Sequence, residues 1–450
     1  MMIDRIRPVV TPAYLFLCLL LGGSSQGIWA NVFLRLTAIS IIAWALLEYR
    51  HSLQPRAIRR LLVLVGLALA LAVIQLVPLP VSIWSSLPGR EQFLEGFQLL
   101  GIPPGRLAPS LAPYDSIATV LALLPPLGML AAMIGLRGYS TNWLAAALIA
   151  GTVGGVLLGI LQVTSANPLT SPWYLYRQSN FGVATGFFAN SNHMASLLLV
   201  SIPFIAALGA SARERTKEMW RKSAMLALAG GGLIVVILGL ILNGSLAGYG
   251  LGLPVVFASL LMLIGPRSRF VQIGLIATAI AGVIALGLLW TAPVSRGAIT
   301  SVNSRQAILS NSIELVRDYG MVGSGLGTFE KVYRMTEDPA SVDRYYINHA
   351  HNDYLELAIE TGLPGIILML LFLAWWGQAV WALRSPAADY FARAAAIGSA
   401  AILLHSMVDY PLRTAAMSAV LAMCLVLTVQ SRRRAQSATD LRPARHLVVG

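Results

Sequence analysis

Charge is what this chain has least of. Only 11% of its 450 residues are Asp, Glu, Lys or Arg, against about 25% in an ordinary soluble domain. With 57% hydrophobic residues and a mean hydropathy of +0.72, a soluble globular class is excluded. Cysteine is nearly absent. Cys18 and Cys424 both lie in apolar runs, so no disulfide framework and no cysteine-based metal site is supported. No Walker-type phosphate loop occurs. The start, MMIDRIRPVV, is basic, yet no small-residue cleavage site follows a compact apolar core. An uncleaved first span is therefore expected.

Long apolar runs are what is there. A membrane-crossing helix needs about 20 mostly apolar residues. Candidate runs lie at roughly 11–23, 31–48, 60–78, 114–136, 142–164, 189–209, 223–242, 246–265, 270–290, 363–383, 393–410 and 413–431. They predict an all-α polytopic membrane protein of about 12 transmembrane helices. Nine helices fall in 1–290 and three in 363–431. A large loop at 291–362 separates the ninth from the tenth, and a basic tail occupies 432–450.

The charges orient this array. With both termini cytoplasmic, the inner loops and tails hold 21 of the 32 basic residues and six of the 19 acidic ones, a balance of +15. The remainder carries 11 basic and 13 acidic residues, a balance of −2. Every inner loop is basic, as the positive-inside bias requires. The formal net charge of +13 is thereby explained without nucleic acid, since no basic patch interleaved with aromatics is present. Three sizeable loops face outward. The first, about 79–112, places Trp84, Phe93 and Phe97 among Pro and Gly, which suggests an interfacial segment. The second spans about 165–188. The third, about 291–362, is the longest and contains the densest polar chemistry. No ATP is available on that side, so a substrate transferred there must arrive already activated.

That chemistry concentrates in His349–Gly365, HAHNDYLELAIETGLPG. Asn352 and Asp353 are good helix N-caps, and Asp353 with Glu356 has capping-box spacing. Gly362 and Pro364 are stop signals. A short helix over about 354–361 is predicted, with His351 just outside its N-terminus. There the backbone N–H groups and the dipole favour an anion. A titratable base beside an anion site suits group transfer, whereas the simpler reading is a cap and a loop histidine. His349 and His351 with Asp353 could also bind a metal, but no further distant ligand is evident.

Upstream, residues 304–316 read as a helix that opens on Arg305. Gly323, Gly325 and Gly327 resemble a nucleotide loop in spelling only. No strand–turn–helix context surrounds them, so a Gly-rich turn is the expected role. Lys331, Arg334 and Arg344 follow, and guanidinium groups present a planar fork suited to diphosphate. Polar residues also mark three span edges: Gly186 to His193, Asn243 to Ser245, and His405 to Arg413. Capping and functional roles are both open for these.

Taken together, these residues resemble the bacterial O-antigen ligase and O-antigen polymerase superfamily. His351, Asn352, Gly362 and Gly365 match its motif of His, then Asn, Ser or Gln, nine residues, Gly, two residues and Gly, Thr or Tyr. Protein O-oligosaccharyltransferases share that motif. The Gly186–Asn192 segment, the block from Arg305 to Phe329 and the His405–Pro411 stretch are similar to further family patterns. The likeness spans roughly residues 180–415. Two family arginines are missing: Leu246 follows Ser245, and Val183 stands before the Gly-Phe segment. Arg177 is a candidate substitute.

The resemblance implies an inner-membrane glycan polymerase or ligase whose large loop lies in the periplasm. Its donor would be an undecaprenyl-diphosphate-linked glycan and its acceptor a sugar or lipid hydroxyl. Exopolysaccharide or O-antigen polymerisation is the leading expectation, because Leu246 breaks the ligase pattern. Ligation onto lipid A-core and protein O-glycosylation are the alternatives, and a transporter is a more distant one. Membrane lipids, a flippase and a chain-length regulator are expected partners. His351 is expected to be the catalytic base. Arg305, Arg344, Arg177, His349, Asn352, Asn192 and Lys331 are expected to bind substrate, with Gly362 and Gly365 as structural motif residues. Direct displacement assisted by arginines would invert the anomeric centre and needs neither cofactor nor metal.

The topology is open to a direct check. Cysteines replacing Ser341 and Ser110 should react with a membrane-impermeant reagent applied from outside, and one replacing Ser223 should not. The opposite pattern would overturn the orientation.

Overall fold

In hydrocarbon every backbone polar group must find a partner within the protein, and a helix satisfies its own. The computed structural model describes residues 2–25, 28–48, 54–215, 218–264, 273, 277, 296–337, 347–385 and 388–440. Side chains are described for these except at 2–5, 215, 264, 296–306 and 431–440. Helices dominate throughout. They are α1 (Met2–Leu21), α2 (Trp29–Leu47), α3 (Arg56–Ile74), the short α4 (Val81–Trp84), α5 (Glu91–Leu99), α6 (Pro113–Ala122), α7 (Leu124–Ala131) and α8 (Thr141–Val163). Then come α9 (Ser191–Arg215), α10 (Met219–Asn243), α11 (Leu246–Ile264), α12 (Arg296–Tyr319), α13 (Phe329–Thr336), α14 (Asp353–Trp381), α15 (Tyr390–His405) and α16 (Ala415–Asp440).

Among the described residues eight helices are long and apolar enough to cross a membrane, and three shorter apolar helices accompany them. This is a multi-pass membrane protein. Apart from residues 273 and 277, the predicted run at 270–290 lies outside the described residues. The bundle is built around α9. In its apolar window 83% of the residues are buried, against 11% in that of α10, so α9 is central and α10 peripheral. α9 packs against α8, α10, α11 and α15. Its first turn follows the polar segment Gly186–Asn190, so the central helix begins beside polar chemistry.

The 79–112 loop is not a free interfacial segment. Trp84 is buried, and its indole N–H donates to the Ala108 carbonyl at 2.8 Å. Arg90 is fully buried. Its guanidinium donates to the carbonyls of Pro88 (3.1 Å), Pro109 (2.6 Å) and Gly323 (3.1 Å), with the Trp84 and Tyr319 rings each 5.7 Å away. Burial pulls the Arg90 pKa down to about 10. These contacts lock the loop onto the Gly-rich segment. The apolar tip at Leu99 and Leu100 stays exposed. Ser110, taken from sequence as an accessible labelling position, is buried and bonded to Ser116 at 2.7 Å. Exposed Gln98 is the better labelling position on this loop.

The Gly323–Gly327 segment is a close-approach turn. Its three glycines have φ of +91°, +114° and +76°. The amides a phosphate would need are already used: Gly325 N–H donates to the Glu360 carbonyl (2.9 Å) and Gly327 N–H to Glu360 Oε1 (2.8 Å). Opposite it, Gly362 interrupts α14 at φ +60°, ψ −157°. This divides a short polar helix, 353–361, from the apolar run beyond, as the stop signals predict. A Cβ at Gly362 would stand 2.6 Å from the Gly323 nitrogen. Gly362→Ala should therefore combine left-handed strain of about 1–3 kcal/mol with a backbone clash. The expected outcome is a lower melting temperature for the purified protein in detergent. A wild-type melting temperature would contradict this packing.

Candidate active site

His351 stands one residue before the cap of α14, with φ +50°. Left-handed backbone is uncommon outside glycine, although His tolerates it better than most. Asn352 is the cap. Its side-chain oxygen accepts from the amides of Tyr354 and Leu355, both at 3.0 Å. The capping box expected from Asp353 and Glu356 does not form. Asp353 N–H donates to the Ser406 carbonyl (2.9 Å), and its carboxylate accepts from Ser406 Oγ (2.8 Å). The helix N-terminus is thus filled by internal partners and offers no vacant anion site.

Asp353, Glu356 and Glu360 share one face of the helix, at i, i+3 and i+7. Three buried carboxylates on one face require a cation. Arg413 supplies it, at 3.7 Å from Asp353 Oδ1, 3.2 Å from Glu356 Oε1 and 3.0 Å from Glu360 Oε2. Burial alone would lower the Arg413 pKa, but Glu356, Glu360 and Asp353 outweigh it and raise it, so the guanidinium stays charged. Glu356 also fixes the histidine segment. One oxygen pairs with His349 Nδ1 at 2.8 Å, and the other accepts from the Ala350 amide at 3.0 Å.

Four of the six histidines converge on Asp409 and Tyr410. His351 Nδ1 lies 3.3 Å from Asp409 Oδ1, an ion-pair distance without good hydrogen-bond alignment. The His349, His193 and His351 rings stand 4.1, 5.0 and 5.1 Å from the Tyr410 ring. His405 Nδ1 is 2.7 Å from Ser196 Oγ. Asp409 is wholly buried. Burial alone would raise its carboxyl, yet the adjoining His351, with His193 and His405 behind it, holds it well below the usual carboxylate range. Asp409 is therefore an anion throughout the neutral range and can orient and stabilise a His351 imidazole that takes up a proton. The His351 side chain is 27% exposed and can meet a substrate.

The other predicted residues divide by position. Asn192 lies in the first turn of α9, and its side-chain oxygen accepts from Ser245 Oγ at 2.7 Å. That bond joins two of the polar span edges. Lys331 pairs with Asp115 at 2.5 Å, and no contact links it to the histidines. Arg177 is exposed on the 165–188 loop. Arg305 lies on α12, but its side chain is outside the described set, and Arg344 is outside the described residues altogether. Gly365 packs on Thr361, whose Oγ1 leaves no room for a Cβ. Asp409, Tyr410 and Arg413 lie in a stretch singled out as polar but given no role. The cue to Arg413 was the i, i+3, i+7 carboxylate row, which cannot be buried without a cation. His349, His351 and Asp353 turn to different partners, and among the described residues no three His, Cys, Asp or Glu side chains are grouped as metal ligands.

Arg413→Met should leave three carboxylates without their cation and cost about 3–5 kcal/mol, the range for breaking a buried ion pair. Arg413→Lys should recover part of that. Chemical denaturation of the purified protein checks both. Wild-type stability in Arg413→Met would contradict the clamp.

Residues 231–370 match the family model Wzy_C, described as O-antigen ligase. No curated protein matches the chain. The matched stretch runs from α10 through the first half of α14 and contains His349, His351, Asn352, Gly362 and Gly365. Asn192, Asp409 and Arg413 fall outside it and complete the site. This match, which covers under a third of the chain, supports the O-antigen ligase and polymerase superfamily that the motif residues resemble.

Proposed function

We propose that the protein transfers a glycan from an undecaprenyl-diphosphate donor to a sugar hydroxyl on the periplasmic side of a bacterial inner membrane, as a polymerase of O-antigen or exopolysaccharide. The observation that carries this reading is the His351–Asp409 pair beside the capped start of α14. A hydroxyl is a weak nucleophile at neutral pH, so a base must take its proton as the C–O bond forms. His351 is more exposed than its neighbour His349 and has the Asp409 carboxylate behind it. The acceptor oxygen attacks the anomeric carbon, and the bond to the diphosphate breaks. Its proton passes to His351, and the electron pair leaves with the diphosphate. Direct displacement inverts the anomeric centre.

The leaving diphosphate gains charge in the transition state, and cations aimed at it lower the barrier. Arg305, Arg344 and Arg177 are the candidates. Arg413 is committed to three carboxylates and serves to position the helix. With arginines carrying the charge, the chemistry needs no metal. Polymerase is favoured over ligase because Leu246 stands where ligases of the family commonly carry Arg.

Purified protein supplied with lipid-linked donor and acceptor tests the assignment. His351→Ala should lower the transfer rate by about two to four orders of magnitude while the protein still reaches the membrane. Asp409→Asn should also be impaired in kcat, and His349→Ala less so, because the His349 Nδ1 faces Glu356. EDTA should leave the wild-type rate unchanged. Full activity in His351→Ala would remove the base. Loss on chelation with recovery on adding metal would replace the arginine scheme.

A further inference from the structure

Tyr410 sits at the histidine cluster, yet the transfer chemistry above gives it no part. It follows Asp409 on the loop between α15 and α16, and it is buried. Its backbone N–H donates to Asp409 Oδ1 at 2.9 Å, the same oxygen that faces His351. Both imidazoles of the His349–His351 pair lie against its ring. His349 is 4.1 Å away and tilted by 37°, and His351 is 5.1 Å away and edge-on at 65°. These two imidazoles are chemically alike and two residues apart, yet each has its own carboxylate: Glu356 for His349 and Asp409 for His351. A rigid ring packed against both restricts the side-chain rotations that would let them exchange.

The Tyr410 ring is itself held from behind. His193 is buried, and neither of its ring nitrogens has a hydrogen-bond partner among the described residues. An unpaired buried polar group costs free energy, so this imidazole is not there for its hydrogen bonds. It packs edge-on against Tyr410 at 5.0 Å and against the buried Phe188 at 6.4 Å. Edge-to-face contact is a favoured arrangement of such rings. A column of rings therefore runs from Phe188 through His193 and Tyr410 to the partly exposed His351.

We propose that Tyr410 is a positioning residue for the base: its ring holds the His351 imidazole on Asp409 and keeps His349 on Glu356, so that one imidazole is presented to the acceptor. The proposal rests on the base assignment of His351 made above. The Tyr410 amide fixes the carboxylate and the ring fixes the imidazole, so one residue sets both halves of the pair.

A double-mutant cycle on the purified full-length protein, with lipid-linked donor and acceptor, tests this. Tyr410→Leu keeps apolar bulk and removes the flat ring. It should lower kcat about 10- to 100-fold, the scale of a slightly misplaced reacting group, with the acceptor KM within about twofold of wild type. Tyr410→Phe keeps the ring and should recover most of the rate. In a His351→Gly background Tyr410→Leu should cost nothing further, because no base is left for the ring to hold. Melting temperatures are measured for each variant, and Tyr410→Met takes the place of Tyr410→Leu if the latter does not fold. An equal loss in both backgrounds would make Tyr410 a purely structural residue and overturn the proposal. A wild-type rate in Tyr410→Leu, or a Tyr410→Phe rate as low as that of Tyr410→Leu, would also overturn it. Each of these leaves the base assignment standing. A wild-type rate in His351→Gly alone would overturn the base assignment and the proposal with it.

Discussion

One arginine holds the histidine-bearing end of this molecule together. Arg413 follows the loop after α15 and meets carboxylates on three successive levels of the short helix 353–361. Each carboxylate has a second duty. Asp353 bonds Ser406, Glu356 bonds His349 and the Ala350 amide, and Glu360 bonds the Gly327 amide. A buried charge cluster is costly to desolvate and need not add net stability. Its value here is geometric. The cluster fixes the histidine segment, the Gly-rich turn and the α15–α16 loop against one another.

This arrangement explains how residues far apart in sequence form one centre. His193 and Asn192 arrive at the start of the most buried helix. His349 and His351 arrive on the irregular segment before α14. Asp409 and Tyr410 arrive on the loop that also carries Arg413. Tyr410 stands at the junction, with three imidazoles about its ring. Of the paired histidines, His349 is tied through Nδ1 to Glu356, and His351 is the more exposed imidazole. The 79–112 loop adds a second tie, from Arg90 to Gly323, and Gly323 abuts Gly362 where α14 breaks.

Much of the fold was legible in the sequence, because a membrane span is announced by its own length and composition. The break at Gly362 and the place of His351 before the helix followed from local cap and stop signals, which act over a few residues. Long-range pairing has no such signal. Nothing within ten residues of Glu356 says that its cation is Arg413. The expected capping box failed for the same reason: Ser406 and Arg413 compete for Asp353, and Asn352 takes the amides. Trp84 was misread as interfacial because an aromatic among Pro and Gly looks alike whether it meets lipid or a neighbouring loop. The Gly-x-Gly spelling was rightly set aside, since its amides serve Glu360.

The central claim is that an imidazole at position 351 takes the acceptor's proton. The backbone there offers an unusually clean test. At φ +50° glycine is more at ease than histidine, so His351→Gly removes the ring without straining the fold. Single-turnover transfer by purified His351→Gly, with and without added imidazole, is the direct measurement. The account predicts a severely slowed reaction that free imidazole partly restores, with inverted configuration at the new linkage. A wild-type rate without imidazole, or a product of retained configuration, would contradict it.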